Sequence, residues 1–235
     1  VDAQVRQEAD PSVTYLDTSF EAEESLERVR LLEEDGRWGD AAKELQFIGR
    51  IFGGHVIMAS PGRHVAIRTY VNRRIAGWPA EGLAAYRAAF ESAAASRLAS
   101  VRSGKDPREY LLVADGYFAC KVGGEALDLA AQLLIERGDF EQAREAYQLL
   151  LESHPDRENQ VAWRVKSATA AALVGEPAEL EAEAEASASA AVSWMGRVQT
   201  AGEFARERLQ ELRRQGVGQT ERAVGATTAH QLGAD

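Results

Sequence analysis

The sequence predicts an all-α fold, an irregular array of antiparallel helical hairpins. Three observations carry that expectation. Apolar residues recur at three- and four-residue spacing through most of the chain, as in Leu83, Tyr86, Phe90, Ala94, Leu98 and Val101. Glycines punctuate these stretches at intervals that suit helical hairpins. Two segments far apart in the chain also share one pattern of glycine, aromatic, small and large apolar residues.

The elements follow in order. Residues 1–17 are polar and aperiodic, and read as a loose N-terminal arm. Thr18 and Glu21 have capping-box spacing, so a helix is expected from there to Gly36 on Ala22, Leu26, Val29 and Leu32. A second runs from Trp38 to Phe52. Gly53-Gly54 stops it. Val56-Ile57-Met58 and Val65-Ala66-Ile67 then flank Ser60-Pro61-Gly62. Either these runs pair as one short β-hairpin within 55–67, or the second run opens a helix through Ile75.

Pro79 suits the first turn of a long helix from Trp78 to Val101. Asp106-Pro107-Arg108-Glu109 is the clearest start signal: a cap, a proline at the first helical position and a box partner. Gly123-Gly124 reads as a break, followed by a helix to Gly138. Asp139 and Asp156 read as caps of the next two helices. Glu-Ala alternation over 179–191 fits a strand in period but not in propensity, so it reads as helix. A last helix is expected over 202–214. The helical domain therefore spans 18–215, and 216–235 read as a Gly/Thr/Ala-rich linker or disordered tail.

The shared pattern is concrete. Gly138, Phe140, Ala143, Tyr147 and Leu150 fall at the same offsets as Gly36, Trp38, Ala41, Leu45 and Ile48, 102 residues earlier. Glycine admits the left-handed backbone that closes a first helix. The aromatic tucks under the turn, the alanine lets the second helix approach, and the large residues fill the groove between them. The spacing resembles the tetratricopeptide repeat, a helical hairpin; Leu127, Ala131, Gly138, Ala143, Tyr147 and Pro155 occupy matching positions. Residues 53–105 depart from it, so an irregular TPR-like α-solenoid is expected.

A more specific resemblance spans roughly 18–215 and is carried chiefly by YVNRRIAGWPAEGLAAYR at 70–87. It resembles the TPR-like helical N-terminal region of large bacterial envelope proteins in which a PQQ-like β-propeller follows. No propeller blade signature stands in this sequence. The resemblance implies a scaffold, exported to the periplasm or envelope, and an accessory role beside a propeller. It supplies no catalytic residue and assigns no PQQ cofactor to this chain.

Composition bounds the function. The chain has 235 residues, is 45% hydrophobic and carries a formal charge of −10, which argues against a nucleic-acid binder. Residues 61–110 stand apart, with nine Lys/Arg against four Asp/Glu. No apolar run is long enough to span a membrane. The chain begins at Val1, which fits a processed product or an excised fragment. One cysteine, Cys120, precludes an intramolecular disulfide and reads as a buried small hydrophobe.

No nucleophile elbow, P-loop or dinucleotide motif occurs. His55 and His64 bracket a turn without a third ligand at suitable spacing, so no metal or cofactor is expected. His154, beside Pro155, reads as a helix-end cation. Arg68, Arg73 and Arg74, with Arg63, Tyr70 and Trp78 nearby, read first as ion-pair partners of the acidic hairpins on either side. Their second reading is a partner-binding patch of Arg68, Arg73, Arg74 and Trp78. The function expected overall is a non-catalytic scaffold for a protein or peptide partner, not an enzyme.

Overall fold

The computed structural model describes residues 17–215. They are 71% helical, in ten helices with two small antiparallel strand pairs. The expected array of helical hairpins is what forms. The chain divides into two compact units, Val1–Val71 and Asn72–Asp235. Of the expected arm, 1–17, only Asp17 is described; residues 1–16 and the expected tail, 216–235, lie outside the described residues.

The first unit opens with helix α1 (Phe20–Glu34) and helix α2 (Trp38–Phe52). Ser19, not Thr18, caps α1: its hydroxyl accepts from the Ala22 amide at 3.2 Å. Gly36 adopts a left-handed φ of 70° at the corner, and the Arg37 amide reaches back to the Leu32 carbonyl at 2.8 Å. Val29, Ala41, Leu45 and Ile48 are fully buried. Strands β1 (Val56–Ser60) and β2 (Arg63–Ala66) form the expected hairpin around Pro61-Gly62. Asp17 ties to it, its carbonyl accepting from the Val56 amide at 2.9 Å. Helix α3 (Ile67–Ala76) follows directly, so both readings of the 65–67 run hold part of the truth.

The second unit continues through α4 (Ala80–Val101), α5 (Pro107–Gly116), α6 (Lys121–Arg137) and α7 (Phe140–Ser153). It closes with α8 (Gln160–Leu173), α9 (Pro177–Ala186), strands β3 (Ala191–Trp194) and β4 (Arg197–Thr200), and α10 (Ala201–Gln215). From α5 to α9, each helix packs on the next. Asp106 caps α5 as expected, accepting from the Arg108 amide at 3.2 Å. Gly138 (φ 85°) and Gly175 (φ 104°) close α6 and α8 with the same turn as Gly36. Thus the corner motif occurs three times, although only two copies are legible as a pattern.

Four further expectations are corrected. Gly123-Gly124 does not break the chain; both lie inside the first turn of α6. Added carbon explains why: a Cβ on Gly123 would stand 2.0 Å from the Tyr117 carbonyl oxygen, and one on Gly124 2.7 Å from the His154 ring. These glycines permit close packing. Asp156 does not cap α8, because its carboxylate is held by Arg87 at 2.7 Å. Pro79 takes the cap position of α4, one residue before its first helical residue. The helix over the Glu-Ala run ends at Ala186, and a second hairpin, β3–β4, follows it. Its buried side carries Val192 and Trp194, with Trp194 5.3 Å from Phe204 of α10.

Ala143 and Tyr147 are fully buried at the α6–α7 crossing. Ala146, expected to face a roomier layer, is also buried, at 7%. Ala143→Leu should still be the more damaging change, since it has no exposed edge into which a larger side chain can turn. Overpacking there should cost about 1–3 kcal/mol. Equal melting temperatures for Ala143→Leu and Ala146→Leu would show that the crossing point is misplaced.

Candidate functional site

A groove of about 1070 Å³ opens in the second unit. Helix α6 forms its floor. Glu125, Asp128, Leu129, Gln132, Leu133 and Glu136 follow one another at three- and four-residue spacing and all line it. The turn after α4, residues 102–105, makes one wall. The start of α8, with Ala162, Trp163 and Lys166, makes another, and the tip of the β3–β4 hairpin a third. Tyr110 steadies the first wall: its hydroxyl lies 3.1 Å from both the Arg102 and Gly104 carbonyl oxygens.

Two buried polar arrangements hold the floor. Lys166 donates from Nζ to both Asp128 oxygens, at 2.8 and 2.6 Å, with 2% and 19% of the two side chains exposed. The Tyr147 hydroxyl is buried toward Asp128 with no hydrogen-bond partner among the described residues. Burial, reinforced by the Asp128 charge, raises its pKa well above the ordinary range, so it stays a phenol.

The second arrangement centres on His154. Its ring stands edge-on to Phe118 and Trp163, at 5.3 and 5.4 Å. Nδ1 accepts from the Asp156 amide at 3.2 Å, so the proton sits on Nε2, which donates to the Cys120 carbonyl at 3.3 Å. The expected cation at a helix end is corrected: the ring is buried, and burial lowers its pKa despite the nearby Asp156 carboxylate. Burial likewise pushes the Cys120 thiol up to about 12. The start of α6, just after Cys120, is capped from outside: Glu91 of α4 accepts from the Lys121 and Val122 amides at 3.1 and 2.8 Å. A carboxylate there satisfies two orphan donors and faces the positive helix end.

The residues singled out in the sequence lie elsewhere. Arg68 rests on α2; its guanidinium is 3.2 Å from where a Cβ on Gly49 would stand. Arg73 is exposed and Arg74 partly buried. At about 100° per residue they stand roughly 140° and 240° round α3 from Arg68, so the helix does not gather them on one face. Trp78 is only 8% exposed. His64 pairs across its hairpin with Met58, not with His55, whose ring packs on Phe52 at 6.1 Å. Among the described residues no group of three or more His, Cys, Asp or Glu could hold a metal. The one signal that points to the groove is the polar stripe on α6.

No family model, curated protein or solved structure matches the chain.

Two outcomes test the floor. Removing one member of a buried ion pair typically costs about 3–5 kcal/mol, because the other is left unpaired. Lys166→Met should show such a loss, and Lys166→Met/Asp128→Leu should recover most of it. Additive losses in that double-mutant cycle would show that the two charges are not coupled. The second outcome concerns pH. His154 has a lowered folded pKa, so its contribution is complete above the unfolded value of about 6.5 and is lost as pH falls below it. Stability should therefore drop between pH 7 and 5, and drop less in His154→Gln. Parallel pH profiles for the two proteins would remove His154 as the cause.

Proposed function

We propose that this chain is a non-catalytic helical scaffold, a protein-interaction module that holds a segment of a partner in the groove of its second unit. The groove itself supports the reading. It is open and elongated along α6, and it mixes apolar and polar groups as a peptide site does. Its ionisable groups also favour binding over chemistry. Lys166 and Asp128 are spent on each other. Cys120 and His154 are buried and neutral, where neither meets a substrate. The resemblance carried by residues 70–87 adds a variant of this reading, in which the occupant is a neighbouring domain such as a β-propeller.

Site-specific photocrosslinking tests the proposal. A benzophenone side chain at Ala162, in the groove, should give a discrete protein adduct in an extract of the source organism. The same group at Glu145, exposed on α7, should not. Equal labelling from both positions would sink the groove as the interaction site.

A further inference from the structure

We infer that the groove takes a partner segment bearing an apolar side chain next to a lysine or arginine, the apolar group seated on Met195 and Val198 and the cation on Glu136. The inference rests on the groove reading above and gives the occupant a chemistry.

The apolar half comes from the β3–β4 hairpin. Its two-residue turn, Met195-Gly196, has φ values of 47° and 82°. Both positions of such a turn favour glycine, asparagine or aspartate, and a left-handed methionine is strained. The strained residue is pinned over the groove, since the Met195 amide donates to Oε1 of the buried Gln132 side chain at 2.8 Å. Its side chain is 43% exposed and Val198 beside it 69% exposed, and both line the groove. The hairpin is braced from behind, with the Arg208 guanidinium 5.3 Å from the Trp194 ring. A strained, braced turn that presents methionine instead of asparagine is best understood if the side chain has an occupant to meet.

The charged half comes from accounting for the acids that line the groove. Glu125 is paired with Arg102 at 2.7 Å, Asp128 with Lys166 at 2.6 Å, Asp156 with Arg87 at 2.7 Å and Glu158 with Lys121 at 3.9 Å. Among the described residues Glu136 has no such partner. It follows Gln132, the residue that pins the hairpin tip, by one helical turn, with Cβ atoms about 5–6 Å apart along the helix, and it lines the same groove as Met195 and Val198. Lys105, on the wall after α4, is the remaining lining cation without an ion pair among the described residues, so a segment of opposite charge is the competing occupant.

Fluorescence anisotropy with the full chain decides between them. The probes are three labelled nonapeptides in a Gly-Ser background, carrying Leu-Arg, Leu-Glu or Ser-Arg at the centre. The Leu-Arg peptide should bind about tenfold more tightly than either of the others, the size of effect one well-placed contact supplies. Glu136→Lys should transfer the preference to Leu-Glu. Met195→Asn, which relaxes the turn, should raise the melting temperature and yet weaken Leu-Arg binding several-fold. Equal binding of the two charged peptides, preference for Leu-Glu, or no saturable binding of Leu-Arg overturns the inference. So does a wild-type chain that self-associates in sedimentation and becomes monomeric as Met195→Asn, because the occupant is then a second copy. If groove crosslinking at Ala162 persists while the peptides do not discriminate, the groove reading stands and this inference alone falls.

Discussion

The second unit depends on how closely helix α6 lets its neighbours approach. Its buried face carries Gly123, Gly124, Ala126, Ala130 and Ala131. At the first two positions a single added carbon would collide with backbone or ring atoms. That closeness brings the α5–α6 connection, the end of α7 and the start of α8 around one histidine. His154 fills the space that Gly124 leaves, and Trp163 then closes over it as part of the groove wall. A larger residue at Gly124 would not simply crowd a helix. It would push the ring that sets where α8 begins, and so move the groove's floor and wall apart.

The polar groups buried around α6 are costly ones, and three of the contacts that meet them come from side chains on other helices. Glu91 supplies the cap that Cys120 cannot, Arg87 holds Asp156, and Lys166 crosses from α8 to Asp128. Pairs of this kind are weak sources of net stability, because desolvation consumes most of the attraction. Their effect is on register: sliding α8 along α6 by one turn would strand two charges at once. The surface pairs within single helices, such as Arg30 with Glu27, carry no such penalty and impose no such constraint.

What was legible in the sequence was local. The left-handed glycine, the alanine five residues on and the large apolar residues beyond it encode a corner and a crossing, and Asp106-Pro107 encodes a helix start. What was not legible depended on partners distant in the chain. Gly123-Gly124 looks like a breaker unless one knows that Tyr117 and His154 press against it. Asp156 looks like a cap until Arg87, 69 residues earlier, takes its carboxylate. The β3–β4 hairpin hides because its turn uses methionine where asparagine would announce it, and because its first strand follows a run of Ala, Ser and Glu that favours helix.

The groove was missed for a related reason. Sequence reading sought clustered charge of one sign and found only Arg68, Arg73 and Arg74, read first as ion-pair partners and second as a binding patch; they succeed one another along a single helix but point different ways. The groove instead mixes signs and cancels them internally, so composition gives no hint of it. Its one sequence trace is the stripe from Glu125 to Glu136, polar residues spaced as apolar ones are on a core-facing helix. Glu125 and Glu136 stay exposed, whereas Gln132 is buried and Asp128 largely so. A solvated helix face has no reason to bury polar groups at that spacing. The stripe makes sense when a second surface, here the α8 start and the hairpin tip, closes over part of it and leaves the rest open.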